Sequence, residues 1–186
     1  RRQNLFAGLQ FDYDDLHSTS TAFGTLSDDH VRAVRGTVEY DFVDTALGDT
    51  MPAVTSLQAT FSQGLDIFGA TQPGDPLASR TNADGTFTTV AIKIERLQKL
   101  GNSGLSLLAG VIGQIAGEPL LASEEFGFGG EDYGRGYDPS ALTGDRGVAG
   151  CVDEIVGELE GLPDGFPEGD EPGPFGPVGP AEDCTG

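Results

Sequence analysis

The feature that most constrains this chain is a strict alternation of apolar and polar residues. In residues 5–14, every second side chain is apolar: Leu5, Ala7, Leu9, Phe11 and Tyr13. The same period of two recurs in residues 37–42, 56–67, 88–98 and 104–116. Because successive side chains of a β-strand point to opposite faces, this pattern predicts an all-β fold of strands with one apolar face.

The length of the alternating segments and of their connections favours one kind of β-sheet. Several segments reach ten residues, close to the ~9–11 with which a tilted strand crosses a bilayer, whereas ordinary strands average ~5–6. Residues 18–29 and 70–84 are predicted as long polar connections, and residues 101–103 as a tight turn. Alternating long and short connections are typical of outer-membrane barrels. A soluble antiparallel sheet with one solvated face alternates equally well, so both architectures stay open at this point.

The charge of the chain is unevenly distributed. Ten Lys and Arg against 30 Asp and Glu give a net charge of −20, which excludes nucleic-acid binding through phosphate contacts. Residues 151–186 carry ten of the acidic residues, none of the basic ones and six of the 11 prolines. This composition predicts a boundary at residue 150, followed by a disordered acidic tail with at most a short helix at 152–162.

No catalytic, cofactor or metal motif stands out in the sequence. His17 and His30 lie in polar surroundings, and the acidic residues near them lack the spacing of a calcium loop. There is no nucleophile elbow. Cys151 and Cys184 fit neither a metal site nor a redox pair, and we interpret them as incidental thiols. We therefore expect neither an enzyme nor a bound cofactor or metal.

The most informative segment is the glycine-rich stretch at residues 119–147. A loop of about 20 residues is usually functional or disordered, and its glycines permit close backbone approach. Several short motifs follow one another in order here: Pro119-Leu120-Leu121, Ser123-Glu124-Glu125-Phe126, Gly129-Gly130, Arg135-Gly136-Tyr137 and Gly144-Asp145-Arg146-Gly147.

In their order and spacing, these motifs resemble the barrel of the two-partner secretion transporters. This is the haemolysin secretion/activation family, also called TpsB or ShlB/FhaC/HecB. The resemblance is strong from about residue 85 to 147 and weaker before that. It implies a partial antiparallel transmembrane β-barrel of about seven strands within residues 1–150. It also implies a location in the outer membrane of a Gram-negative bacterium, in contact with its lipid.

The resemblance also implies roles for individual residues. In the family, a loop (here about residues 122–147) folds back from the cell surface into the barrel lumen. Arg135 would be the cation at its tip, paired with an acidic group of the inner wall, because a partly buried arginine needs a partner. The remaining implied residues are the tip neighbours Gly136 and Tyr137, the loop base Gly129 and Gly130, and the loop-return turn Gly144, Asp145, Arg146 and Gly147.

The implied activity is secretion and activation of a partner polypeptide, without ATP or cofactor. That partner would be a large β-helical exoprotein such as a haemolysin or adhesin. A related outer-membrane assembly factor, which inserts barrel proteins, shares the loop motif and stays an alternative. A soluble acidic extracellular β domain that acts by binding is the third alternative.

The sequence also departs from the family pattern. Gly134 stands where the family has Val or Ile, and residues 151–156 do not alternate. The periplasmic domains expected upstream are absent, so we interpret the chain as a barrel fragment. Seven strands are fewer than the 8 of the smallest single-chain barrels, and such a piece would have open edges.

Overall fold

The computed structural model describes residues 3–130, 133–134 and 137–156. Its elements are, in chain order, β1 (Gln3–Ser20), β2 (Gly24–Asp44), β3 (Ala53–Gly64), β4 (Thr88–Lys99), β5 (Leu105–Ala116), a 3-10 helix (Ala122–Glu124), β6 (Phe126–Phe128), β7 (Leu142–Gly144) and β8 (Gly147–Val156). The predicted all-β class is confirmed. No helix in the described part of the chain is long and apolar enough to cross a membrane.

Six strands form one antiparallel sheet in the order β1-β2-β3-β4-β5-β8, and β6 pairs with β7 in a separate ribbon. Each strand of the main sheet pairs with the strand before it along the chain, except that β8 follows β5 after the ribbon. Among the described residues, β1 and β8 each pair on one side only, so the sheet is open.

The two faces of the main sheet have an inverted pattern of burial. On the face that we call the apolar face, Leu9 is 82% exposed, and large side chains of every neighbouring strand are also exposed: Val38, Phe61, Ile92, Val111 and Val148. On the opposite, polar face, Lys93 and Glu95 are only 7% and 4% exposed. A soluble sheet buries its apolar face instead, because apolar burial stabilises it and polar burial costs free energy.

Charged side chains border the apolar face at both ends of the strands. Beside the β2–β3 and β4–β5 turns, Arg96 pairs with Asp44 at 2.8 Å. At the opposite end, Arg32 lies 3.5 Å above the ring centre of Tyr13 and bonds Asp15 at 2.7 Å. On β1, the apolar side chains between these borders span the nine positions from 5 to 13. That span matches a strand that crosses hydrocarbon at a tilt.

The segment at residues 18–29 is not the long connection that its polarity suggested. β1 continues to Ser20 and β2 begins at Gly24, so only residues 21–23 turn. Side-chain pairs across the two strands stabilise this polar hairpin, among them His17 with Asp28 and His30 with Asp15, both at 2.7 Å. A strand with polar side chains on both faces loses the alternation by which sequence analysis recognises strands.

The C-terminal boundary also differs from the prediction. β8 runs to Val156, six residues beyond the predicted boundary at residue 150. The first part of the expected helix at 152–162, residues 152–156, is therefore strand. The backbone of β8 pairs with β5 from Leu105↔Val156 to Gln114↔Gly147, which compensates for the weak alternation. Cys151 is disulfide-bonded, so its interpretation as an incidental thiol is wrong. The rest of the predicted tail, including Cys184, lies outside the described residues.

Candidate functional site on the inner loop

The connection between β5 and β8, residues 117–146, folds over the polar face of the sheet, and we call it the inner loop. It begins with the 3-10 helix and continues into the β6–β7 ribbon, in which Phe126 pairs with Gly144 and Phe128 with Leu142. The ribbon brings the two arms of the loop together.

An apolar contact seats this projecting segment on the sheet. Tyr133 is 6% exposed and packs in one cluster with Leu108 of β5 and Ala149 of β8. The register places Leu108 and Ala149 on the same face of the sheet as Glu95. Phe126 and Phe128 of the ribbon pack against the same cluster. The inner loop therefore covers the polar face and accounts for part of its burial.

A pair of charged residues attaches the start of the inner loop to the sheet. Glu124, at the end of the 3-10 helix, accepts two hydrogen bonds from Nη2 of Arg35 on β2, at 2.8 and 2.9 Å. The same guanidinium donates to Ser62 Oγ on β3 at 3.0 Å and pairs with Asp12 on β1. Gln114 on β5 donates to the backbone carbonyl of Glu124 at 2.9 Å. Side chains of β2 and β5 thus bond this turn of the loop directly, and Arg35 links it to β1 and β3.

A second group of contacts closes the base of the inner loop. Asp145, near its end, accepts a hydrogen bond from the backbone N–H of Leu120, near its start, at 3.0 Å. Arg80, from the β3–β4 connection, binds Asp145 and donates to the Leu120 carbonyl at 2.7 Å. Arg80 also lies 3.1 Å from Glu125. The Arg80 guanidinium and the Leu120 N–H together hold the pKa of Asp145 below its ordinary value of 3.8.

The residues of the predicted loop-return turn lie at this base. Gly144 ends β7, and Gly147 begins β8 opposite Gln114. Between them, Arg146 donates from Nε to the carbonyl of Ala116, the last residue of β5, at 3.0 Å. The side chains of Asp145 and Arg146 therefore bond the end of the loop to its beginning.

The predicted loop-base glycines follow β6 directly. Gly129 has a φ of +123°, and a Cβ there would lie 2.2 Å from the carbonyl oxygen of Asp138, so this position requires glycine. Gly134, where the family has a β-branched residue, has a φ of +118°, which Val and Ile rarely adopt. This departure from the family pattern thus coincides with a backbone that only glycine adopts readily. Gly130 donates its N–H to the carbonyl of Tyr137 at 3.1 Å.

Of the predicted tip residues, only Tyr137 belongs to the described part of the chain. Its side chain is 60% exposed and its ring centre lies 5.8 Å from that of Phe128. Its backbone N–H donates to the Gly134 carbonyl at 2.9 Å. Arg135 and Gly136 lie outside the described residues.

Sequence analysis missed three residues that bond the loop in place: Arg35, Arg80 and Glu124. Arg35 shares the parity of the polar positions 37, 39 and 41, so extending that alternation by two residues would have placed it on the polar face. Glu124 lies within the motif Ser123-Glu124-Glu125-Phe126, but the motif does not indicate a partner for it. Nothing in the sequence around Arg80 indicates its contact, because the partner is 65 residues away.

Charged residues line the polar face beneath the inner loop. Lys93 Nζ lies 3.0 Å from Glu95 Oε2, and both side chains are buried. Glu39 and Asp41 lie on the same face of β2, and the register places Glu39 next to Gln58, the neighbour of Lys93. Among the described residues, no group of three or more His, Cys, Asp or Glu side chains is arranged to hold a metal ion.

A family model, described as haemolysin secretion/activation protein ShlB/FhaC/HecB, matches residues 46–149. The match covers more than half of the chain. The chain belongs to the ShlB/FhaC/HecB family. The matched residues include β3, β4, β5, the whole inner loop and the first three residues of β8. The resemblance inferred from the loop motifs is thereby confirmed. Among curated proteins and solved structures, none matches the chain significantly.

Proposed function

We propose that this chain forms part of the wall of an outer-membrane pore through which a partner exoprotein is secreted and activated. The observation that carries the proposal is the inverted burial of the main sheet, with an exposed apolar face and a charged, covered face. Such a sheet suits a barrel whose outside contacts lipid and whose inside is wet. Membership of the ShlB/FhaC/HecB family supports the same function.

In this proposal, the inner loop occupies the lumen in the resting pore. Its hydrogen bonds to Arg35 and Gln114 and its apolar seat on Leu108 and Ala149 support that position. Arg135 would be the cation at the tip of the loop and would pair with an acidic residue of the wall. Gly136 and Tyr137 would shape the tip beside it. The secreted polypeptide would pass in extended form along the polar interior of the pore.

Two measurements in the natural full-length protein test the proposal. Fractionation should recover the protein in the outer membrane, with a gel mobility that changes on heating, as folded barrels show. Arg135→Ala should reduce export of the partner exoprotein, whereas Asp138→Asn, an exposed position on the same loop, should leave export unchanged. A monomer that is soluble without detergent, or unchanged export by the Arg135→Ala variant, would contradict the proposal.

The same experiment separates the related assembly factor from the secretion pore. An assembly factor would leave export of a single exoprotein unaffected but would lower the amount of many barrel proteins in the outer membrane. We expect loss of one exoprotein from the medium, with the other outer-membrane proteins at their normal levels.

A further inference from the structure

We propose that Arg35 and Glu124 form a latch that holds the inner loop on the polar face, and that Asp12 keeps Arg35 paired when the loop leaves. This inference rests on the proposed function, because it names positioning residues for the same pore. It assigns a role to a wall cation and to the two carboxylates that bind it through different nitrogens.

The latch holds the inner loop through Glu124. Its carboxylate is bonded through both oxygens to one nitrogen of Arg35, and its side chain is 10% exposed. The partner lies on β2, which belongs to the wall and not to the loop. Moving the inner loop off the polar face therefore has to break this pair, and a hydrogen-bonded ion pair with little exposure to water is costly to break.

Arg35 has two carboxylate partners. Nη2 faces Glu124, while Nε faces Asp12, whose side chain is 11% exposed. Ser62 accepts a further hydrogen bond from Nη1. When Glu124 leaves, Arg35 keeps both the charge of Asp12 and the bond to Ser62. Arg35 therefore does not become an unpaired cation, which would cost several kcal/mol in a site with little exposure to water.

The base of the inner loop does not depend on this pair. Leu120 and Asp145 both belong to the loop and bond each other, and Arg80 binds both of them from a neighbouring connection. These contacts persist if the segment beyond them turns away from the wall. Among the described residues, the loop thus has a base held by Arg80 and a separate charged contact with the wall through Glu124, the arrangement of a two-state element.

If the latch exists, neutralising the two carboxylates should change the frequency of pore opening in opposite directions. Glu124→Gln keeps the shape but removes the charge that holds the loop, so the pore should open more often. Asp12→Asn removes the alternative partner, so Arg35 should hold Glu124 more firmly and the pore should open less often. If the two carboxylates served only to stabilise the fold, both variants would shift the pore in the same direction.

The test measures the fraction of time that the natural full-length protein conducts ions in planar lipid bilayers. We expect about a fivefold increase for Glu124→Gln and for Arg35→Gln, with no further increase in the double variant, because coupled residues are non-additive. We expect about a threefold decrease for Asp12→Asn by the same coupling. Asp138→Asn, an exposed carboxylate of the same loop, is the matched control and should behave as the unmodified protein.

The outcomes separate this inference from the proposed function. If the unmodified protein conducts and exports its partner, but Glu124→Gln and Asp12→Asn shift the open fraction in the same direction or leave it unchanged, the latch is overturned and the secretion pore stands. If the unmodified protein neither conducts nor exports, both fail. If Glu124→Gln does not fold, as judged by heat-modifiable mobility, Asp12→Asn alone decides, and an unchanged or increased open fraction overturns the latch.

Discussion

Arg35 and Glu124 are separated by 89 residues in sequence, yet one guanidinium nitrogen of Arg35 donates to both carboxylate oxygens of Glu124. The pair joins β2 to a loop from which it is separated along the chain by three strands, β3, β4 and β5. Together with the packing of Tyr133 against Leu108, the pair shows that described parts of the glycine-rich segment lie against the polar face of the sheet. The following predictions concern the contacts that keep it there.

Arg80 supports the base of the inner loop through three partners: the Leu120 carbonyl, Asp145 and Glu125. We expect Arg80→Gln to lower the stability of the folded form by about 1 kcal/mol, since the ionic partners are partly exposed to water. The temperature at which the heat-modifiable gel band shifts measures this loss. Lys99→Gln, at the opposite end of the sheet, is the control and should leave that temperature unchanged. An unaltered transition in the Arg80 variant would show that the base does not depend on it.

Asp145 makes the stability of the folded chain depend on pH. Its pKa in the folded chain is below 3.8, chiefly because of the hydrogen bond from Arg80. A carboxyl with a lowered folded-state pKa stabilises the fold fully above its unfolded pKa and loses that contribution as the pH falls through the lowered value. We therefore expect the heat-modifiable transition to be constant near neutral pH and to fall below about pH 4. Asp145→Asn should remove part of that fall, and an identical pH profile would contradict the assignment.

Tyr133 and Tyr137 lie on the same loop but differ in burial. Tyr133 is buried against Leu108 and Ala149, whereas Tyr137 is exposed beside Phe128. We expect Tyr133→Ala to cost about 3 kcal/mol, as truncation of a buried aromatic residue does. The same change at Tyr137 should cost less than about 1 kcal/mol. Limited proteolysis in detergent measures the difference as the rate of cleavage within the inner loop. Equal cleavage rates would mean that Tyr133 does not anchor the loop.

Leu9 and Gln10 are adjacent, exposed and on opposite faces of β1. A lysine on a lipid-facing position near mid-membrane costs about 2–4 kcal/mol, whereas a lysine facing the lumen costs little. We expect Leu9→Lys to reduce the folded protein recovered from the outer membrane, and Gln10→Lys to leave it nearly unchanged. Equal recovery of the two variants would contradict the orientation of the sheet.

The period-two alternation predicted β4 and β5 to within one residue and β3 with a displacement of three residues, because each of these strands has one apolar and one polar face. It failed where that contrast is missing. The hairpin around residues 18–29 is polar on both faces, and Cys151–Val156 has no regular alternation. Both segments are strands because they pair with neighbouring strands, and their own sequences do not indicate this pairing. Backbone pairing is set by the neighbouring strand, and a local pattern does not report it.

The candidate site was predicted only in part for a similar reason. Gly129, Asp145 and Arg146 lie in short motifs with recognisable spacing, and Asp145 and Arg146 bond the end of the inner loop to its beginning. Arg35 and Arg80 act across 89 and 65 residues, respectively. Such pairs follow from the register of the sheet and the path of the loop, which a single sequence does not specify.

The proposed pore requires that the apolar face of the main sheet contacts lipid. Spin labels at Phe61 and Thr60, neighbours on opposite faces of β3, test this directly through their accessibility to oxygen and to a water-soluble relaxation agent. The labels would be placed in the natural full-length protein in lipid bilayers. The account predicts that the label at 61 is accessible to oxygen and shielded from the aqueous agent, and that the label at 60 is shielded from lipid-dissolved oxygen. Aqueous accessibility at position 61, or equal behaviour of the two labels, would contradict it.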